Sequence, residues 1–313
     1  MKHNPKITII LLVMFVVTQF IGLAVLHADI FHLEQEVNGT IETVPNPHLS
    51  WIQPPEAETQ KESFSMLGSL IFAFIIAISL LILLSKFKIR FILKAWFFLV
   101  VCIALFLTIY AFEKLVPFSI PSNLALIIPV IIALPLAFIK IFKREFLVHN
   151  FTELLIYPGI AAVFVPILKI YTIIIFLIII SIYDIWAVWH SGIMQKMAKY
   201  QIDKLNIFPG FFVPYVSKKI KSKIKKMKKS ELKKKRIRVN VAILGGGDII
   251  FPIITAGVML KTWGFFPALF VIAGATLGLG YLFFFSEKRK FYPAMPFITT
   301  GIFAGMILSW IIF

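Results

Sequence analysis

Nine predominantly apolar runs, each close to the length of a bilayer-spanning helix, limit this chain more than any other feature. They lie at roughly 7–26, 64–84, 91–112, 121–139, 151–168, 171–190, 239–259, 264–285 and 294–313. A backbone inside hydrocarbon must satisfy its own hydrogen bonds, which leaves helices or a closed barrel. Runs of about twenty residues without alternation select helices. Composition agrees, since 59% of residues are hydrophobic and 15% are charged, against ~25% charged in soluble domains. The expected fold class is an all-α membrane protein, a polytopic helical bundle of about nine transmembrane helices. The single cysteine, Cys102, excludes an intrachain disulfide or a cysteine-based zinc set. Neither a metal nor a cofactor is expected.

The net charge of +17 invites a polyanionic partner, but its placement argues for topology. With the N-terminus inside, Lys and Arg number 2 in the tail, 4 in 85–94, 3 in 140–144, 16 in 191–238 and 3 in 286–290. Only Lys61, Lys114, Lys169 and Lys261 fall outside, a split of 28 to 4. That is the positive-inside rule. It predicts a cell-membrane protein with cytoplasmic N-terminus and 191–238 loop, and an extracellular C-terminus. The lysine-rich stretch 217–238 suits an anionic lipid surface. Nucleic acid is not expected, because the loop's aromatics lie upstream, between 208 and 215, and are not interleaved with the charge.

The first run reads as a retained span, since it is long for a signal-peptide core and Leu26 stands where cleavage would need a small residue. The outside loop 27–63 holds seven acids against one lysine. It also carries the sequon Asn38-Gly39-Thr40, whereas Asn150-Phe151-Thr152 falls inside and should be silent. Pro135, Pro158 and Pro166 can kink their helices, for which plain packing is the expected reason and functional gating the alternative. Glu153 lies near the inside end of its span and is expected to reach water. Gly274-Ala275-Thr276-Leu277-Gly278 and Gly301-Ile302-Phe303-Ala304-Gly305 are small-xxx-small faces for close helix packing.

Two acids lie deep. Asp184 is twelve residues before Lys196, and Asp248 ten residues after Arg238. Helical rise puts them roughly 18 and 15 Å from the inner charged surface. An acid at that depth is a functional candidate by default. The two spans are consecutive and antiparallel, so they are expected to be neighbours with the acids facing. Two carboxylates sharing a low-dielectric pocket cannot both ionise, which supplies an acid and a base at one pH. Such a pair can activate water and protonate a leaving amide nitrogen. The alternative for a lone intramembrane acid is a helix–helix hydrogen bond or part of an ion path.

Tyr183-Asp184 in one span, Gly245-Gly246-Gly247-Asp248 in the next and Pro293-Ala294-Met295 opening the last resemble the marks of presenilins and signal peptide peptidases. In that family they read Tyr-Asp, Gly-x-Gly-Asp and Pro-Ala-Leu. Motif order, nine spans and a loop between the aspartate spans also match, so the resemblance covers most of the chain. It implies an intramembrane aspartyl protease that cuts transmembrane helices of other membrane proteins. Asp184 and Asp248 would be the catalytic pair. Tyr183, Gly245, Gly246, Gly247, Pro293, Ala294 and Met295 would serve substrate binding, the last three by holding unwound substrate. Met295 stands where leucine is usual, a flexible apolar substitute that bears on substrate positioning more than on chemistry. Presenilins keep the N-terminus cytoplasmic and signal peptide peptidases invert it, so the charge split sides with presenilins. A short chain with a modest loop looks like the archaeal homologues, which by resemblance act without partner subunits. Homo-oligomers remain open.

Three segments are expected: a six-span half over 1–190, the basic loop 191–238, and a three-span half over 239–313. The rival function is a proton- or cation-coupled transporter using the two acids as a relay. No internal repeat is evident to support it. A scaffold for membrane helices, using the fold without catalysis, is the third reading.

Overall fold

The computed structural model describes residues 5–37, 40–57, 59–86, 90–116, 121, 124–143, 145–192, 207, 209–215, 240–287 and 292–313. The sequon at Asn38 and the basic stretch 217–238 lie outside the described residues. Among those described, nine α-helices follow the nine apolar runs: α1 Pro5–His27, α2 Gln60–Lys86, α3 Arg90–Leu115, α4 Ile127–Phe138, α5 Phe146–Phe164, α6 Ile170–Ile185, α7 Gly246–Trp263, α8 Phe265–Phe285 and α9 Met295–Ile312. Seven are long and apolar enough to cross a bilayer. The exceptions are α4 and α7, of 12 and 18 residues. The protein is a multi-pass helical membrane protein.

Two antiparallel hairpins stand beside the bundle. One pairs β1 (His32–Val37) with β2 (Thr40–Pro45); the other pairs β3 (Gly210–Tyr215) with β4 (Asn240–Gly245). The second corrects the reading of 239–259 as one continuous helix. Residues 240–245 are strand, and α7 begins only at Gly246. A short apolar run carries no period that separates strand from buried helix. Helical rise therefore cannot set the depth of Asp248, since a strand advances ~3.3 Å per residue against ~1.5 Å in a helix.

Helix α1 packs one face against α5 and α7, while Ile9, Val13 and Phe20 on another face are exposed. Leu11, Phe15 and Leu23 are almost wholly enclosed. Helices α8 and α9 make the tightest contact. A Cβ on Gly274 would run into the carbonyl of Gly301 and the reverse, and Gly278 and Gly305 stand likewise against Phe297 and Phe270. The two small-residue faces are thus one seam, with backbone against backbone. Gly264, at φ 97°, makes the turn between α7 and α8 in a region that side chains disfavour.

Polar ties close both ends. At one, Lys114 Nζ donates to the carbonyls of Asp29 (2.7 Å) and His32 (2.6 Å), and Lys261 lies 3.7 Å from Asp29. This links the ends of α1, α3 and α7. At the other, Glu153 does not reach water as expected. It is 1% exposed and paired with Lys140, in the π-helical turn Ile139–Lys143 that ends α4. The pairing spans the bend between α4 and α5, which helical spacing alone does not reveal.

Candidate active site

Asp184 is the penultimate residue of α6, just before a π-helical turn at Trp186–His190. It is 6% exposed. Its Oδ2 accepts the Met295 backbone N–H at 3.0 Å, and the Ala294 amide points to the same carboxylate. Met295 is the first residue of α9. A helix start has N–H groups without intrahelical partners and a partial positive charge, which favour a carboxylate. Pro296, which has no N–H, sits in that first turn at no cost. The sequence Pro293-Ala294-Met295-Pro296 thus ends the preceding chain, starts α9 and presents amides to Asp184. Ser181, one turn earlier, adds a hydrogen bond to Thr299 at 2.9 Å.

Asp248 lies in the first turn of α7, whose N-cap is Gly245. The Gly245 amide reaches back to the Asp248 carboxylate, the same half of a capping box that Glu or Asp commonly forms from the third helical position. The glycines differ in what they allow. A Cβ on Gly245 would lie 3.3 Å from Asp248 Oδ2, and one on Gly246 would be 2.8 Å from the Tyr157 hydroxyl oxygen. Gly247 is exposed, and its Cβ would meet only Phe251 at 3.7 Å. Close packing thus needs Gly246, crowding at the acid disfavours a side chain on Gly245, and Gly247 leaves an open approach.

Asp184 is bonded to Met295, and the adjacent Ala294 lines the same cavity as Asp248, so the two acids flank one site. Beside Asp248 is a cavity of about 100 Å³ between Ile243 and Leu244 of β4, Leu279, Leu282, Phe283 and Ser286 of α8 and its end, and Tyr292 and Ala294 before α9. The Ser286 hydroxyl is buried there without a hydrogen-bond partner among the described residues. A larger, apolar cavity of about 300 Å³, by Trp51, Cys102 and Phe106, contains no acid.

The expected site residues divide accordingly. Asp184, Asp248, Gly245, Gly246, Ala294 and Met295 come together, and Pro293 is buried next to them. Tyr183 is 40% exposed and its ring packs on Trp186. Pro293, Ala294 and Met295 were expected to hold unwound substrate, which calls for free backbone donors there. At least one such donor, the Met295 amide, is already taken by Asp184. Three neighbours left no mark in the sequence: Tyr157 against Gly246, Ser286 in the cavity, and strand β4.

The edges of the second hairpin are unequal. Asn150 of α5 accepts from Phe212 N–H at 3.2 Å and donates to the Phe212 carbonyl at 3.0 Å. The Phe212 groups therefore point away from β4, which makes Phe212–Ile243 a non-hydrogen-bonded pair. Pro214, two residues on and without an N–H, also falls in such a pair, opposite Val241. By the same alternation, the N–H and C=O of Val241 and Ile243 face outward from β4. Their side chains are 44% and 41% exposed, and Ile243 lines the cavity that holds Asp248.

Residues 50–313 match the family described as signal-peptide peptidase, presenilin aspartyl protease. Two solved structures of a presenilin family intramembrane aspartate protease, in C222 and P2 space groups, share the fold at 16% sequence identity and a TM-score of 0.59. The first match covers 98% of this chain and 99% of the other; the second covers 97% of each. No curated protein matches the chain.

Proposed function

Because the chain belongs to the signal-peptide peptidase and presenilin family of aspartyl proteases, and is therefore an intramembrane aspartic endopeptidase, we propose that Asp184 and Asp248 are its catalytic pair and that its substrates are transmembrane helices of other proteins. One carboxylate takes a proton from water as the water oxygen attacks the scissile carbonyl carbon. The other, protonated, gives its proton to the amide nitrogen as the C–N bond breaks. The second proton of the water is released as the new carboxyl group ionises. The observation that supports this is the placing of both acids around Ala294 and Met295, with Asp184 accepting the Met295 amide and Asp248 lining a cavity with Ala294.

A helical substrate has all its amides paired, so the segment must unwind before attack. The outward edge of β4 offers replacement hydrogen bonds to an extended segment, in the manner of strand addition. A strand laid along Val241 and Ile243 continues into the cavity where Asp248 stands. The open approach over Gly247 suits close passage of substrate backbone. The basic N-terminus and the 191–238 loop face the cytoplasm, as the charge distribution favours, so substrates are engaged in the cytoplasmic half of the bilayer.

The test is mass spectrometry of a model transmembrane peptide incubated with reconstituted wild type, Asp184→Asn and Asp248→Asn. Fragments cut within the apolar stretch by wild type alone support the pair. Cleavage persisting in both variants would remove it.

A further inference from the structure

Four buried polar side chains under the β3–β4 hairpin have no part in the steps above. Lys140 and Glu153, 7% and 1% exposed, form an ion pair. Glu153 Oε1 lies 3.7 Å from His149 Nε2. The same nitrogen is 2.9 Å from the Gly210 carbonyl. A carbonyl can only accept, so Nε2 carries the proton and the tautomer is set by this contact. Next in sequence, Asn150 holds both backbone groups of Phe212. The His149 ring packs on Phe212 with centroids 4.5 Å apart.

These contacts reach the acid by a short path. Helix α5 grips the first and third residues of β3, and Gly210 is the register partner of Gly245. Gly245 supplies the amide that reaches Asp248, and the Gly246 amide donates to Pro209, just before β3, at 3.2 Å. The height of β3 on α5 thus fixes where α7 starts. A buried ion pair is a poor route to stability, because apolar residues of similar size commonly serve as well. It does orient an imidazole that must point at one carbonyl.

We propose that Lys140, Glu153, His149 and Asn150 form a positioning cluster for peptide hydrolysis, setting through β3 and β4 where Asp248 meets Asp184. This rests on the assignment of those two aspartates as the catalytic pair. None of the four touches the reacting atoms.

The test uses full-length protein in liposomes with His149→Leu, which removes the donor to Gly210, and His149→Gln, which returns an amide donor near the same place. Active sites are counted by titration with a transition-state aspartic-protease inhibitor, and kcat is expressed per titrated site. Hydrogen exchange is followed over 209–215 and 240–248. In His149→Leu, kcat per site should fall about tenfold or more with KM changed less than about threefold, as misplacement of a reacting group implies. The hairpin amides should exchange about tenfold faster, as local opening implies. His149→Gln should bring both back to within about threefold of wild type by restoring that hydrogen bond. Fewer titratable sites of undiminished kcat would mean that His149 only supports folding, and would overturn the proposal. So would unchanged exchange, or failure of Gln to rescue. A wild type that cuts no transmembrane peptide sinks the catalytic assignment and the proposal together. Wild-type cleavage with an unaffected His149→Leu sinks the proposal alone.

Discussion

Asp184 and Met295, 111 positions apart in the chain, are joined by a 3.0 Å hydrogen bond from the Met295 backbone N–H to Asp184 Oδ2. The side chain at 295 takes no part in it, so leucine or methionine there can leave the bond in place. The acid is both the capping group of α9 and the proposed reacting group.

These two roles separate by mutation. Asp184→Asn and Asp248→Asn should each lower cleavage about 10³-fold or more, the scale of lost general acid–base catalysis. Asp184→Asn keeps an oxygen acceptor for Met295, whereas Asp184→Ala leaves that amide unpaired. The alanine variant should be less stable than the asparagine variant by about 1–3 kcal/mol. Unfolding in detergent measures the difference.

Cleavage by an acid and a base should rise and then fall with pH. At low pH both carboxyls are protonated and no base remains to activate water. At high pH both are ionised and no proton reaches the amide nitrogen. A pH profile of kcat/KM in liposomes that is flat on either side would contradict the shared-proton mechanism.

The three glycines before Asp248 should respond unequally. Gly246→Ala places a methyl group on the Tyr157 phenol and should cost about 1–3 kcal/mol by overpacking. Gly247→Ala meets only Phe251, at an ordinary contact distance of 3.7 Å, and should cost less than about 0.5 kcal/mol, the range for unconstrained surface changes. Pairing Gly246→Ala with Tyr157→Ala should recover part of the loss, which thermal unfolding of the double variant will show.

Strand addition predicts a different asymmetry along β4. Ile243→Pro removes an outward N–H and should raise KM up to about tenfold, the worth of one hydrogen bond, with kcat little altered. Ala242→Pro removes an N–H that faces β3 and should instead destabilise the hairpin. Equal effects of the two on KM would argue against substrate pairing at this edge.

Replacing Gly274 or Gly301 with leucine should separate α8 from α9, because no small shift clears a side chain from a facing backbone carbonyl. A loss of at least about 1–3 kcal/mol is expected. Detergent unfolding and loss of inhibitor binding should follow together.

Much of this was legible in the sequence for physical reasons. Length and apolarity announced the helices because hydrocarbon permits few alternatives. Asp184 and Asp248 stood out because charge is expensive in lipid. Strand β4 did not, since residues 240–245 are mostly apolar and buried strands and buried helices share that pattern. Glu153 was misread because its partner, Lys140, belongs to the end of another helix. The Met295 amide could not be read at all. A backbone donor has no letter of its own, and its direction is known only when α9 has a place to start.

The glycine seam between α8 and α9 has a mechanical consequence. Where backbone meets backbone there are no rotamers to exchange and little compliance, so a load applied to one helix passes to the other. Ser286, Tyr292 and Ala294 all belong to this pair and the link between its helices, and they form one wall of the cavity at Asp248. That wall is the fixed jaw of the site. The displacement needed to admit a polypeptide therefore belongs to the opposing side, where β3 and β4 are held by side chains that can turn.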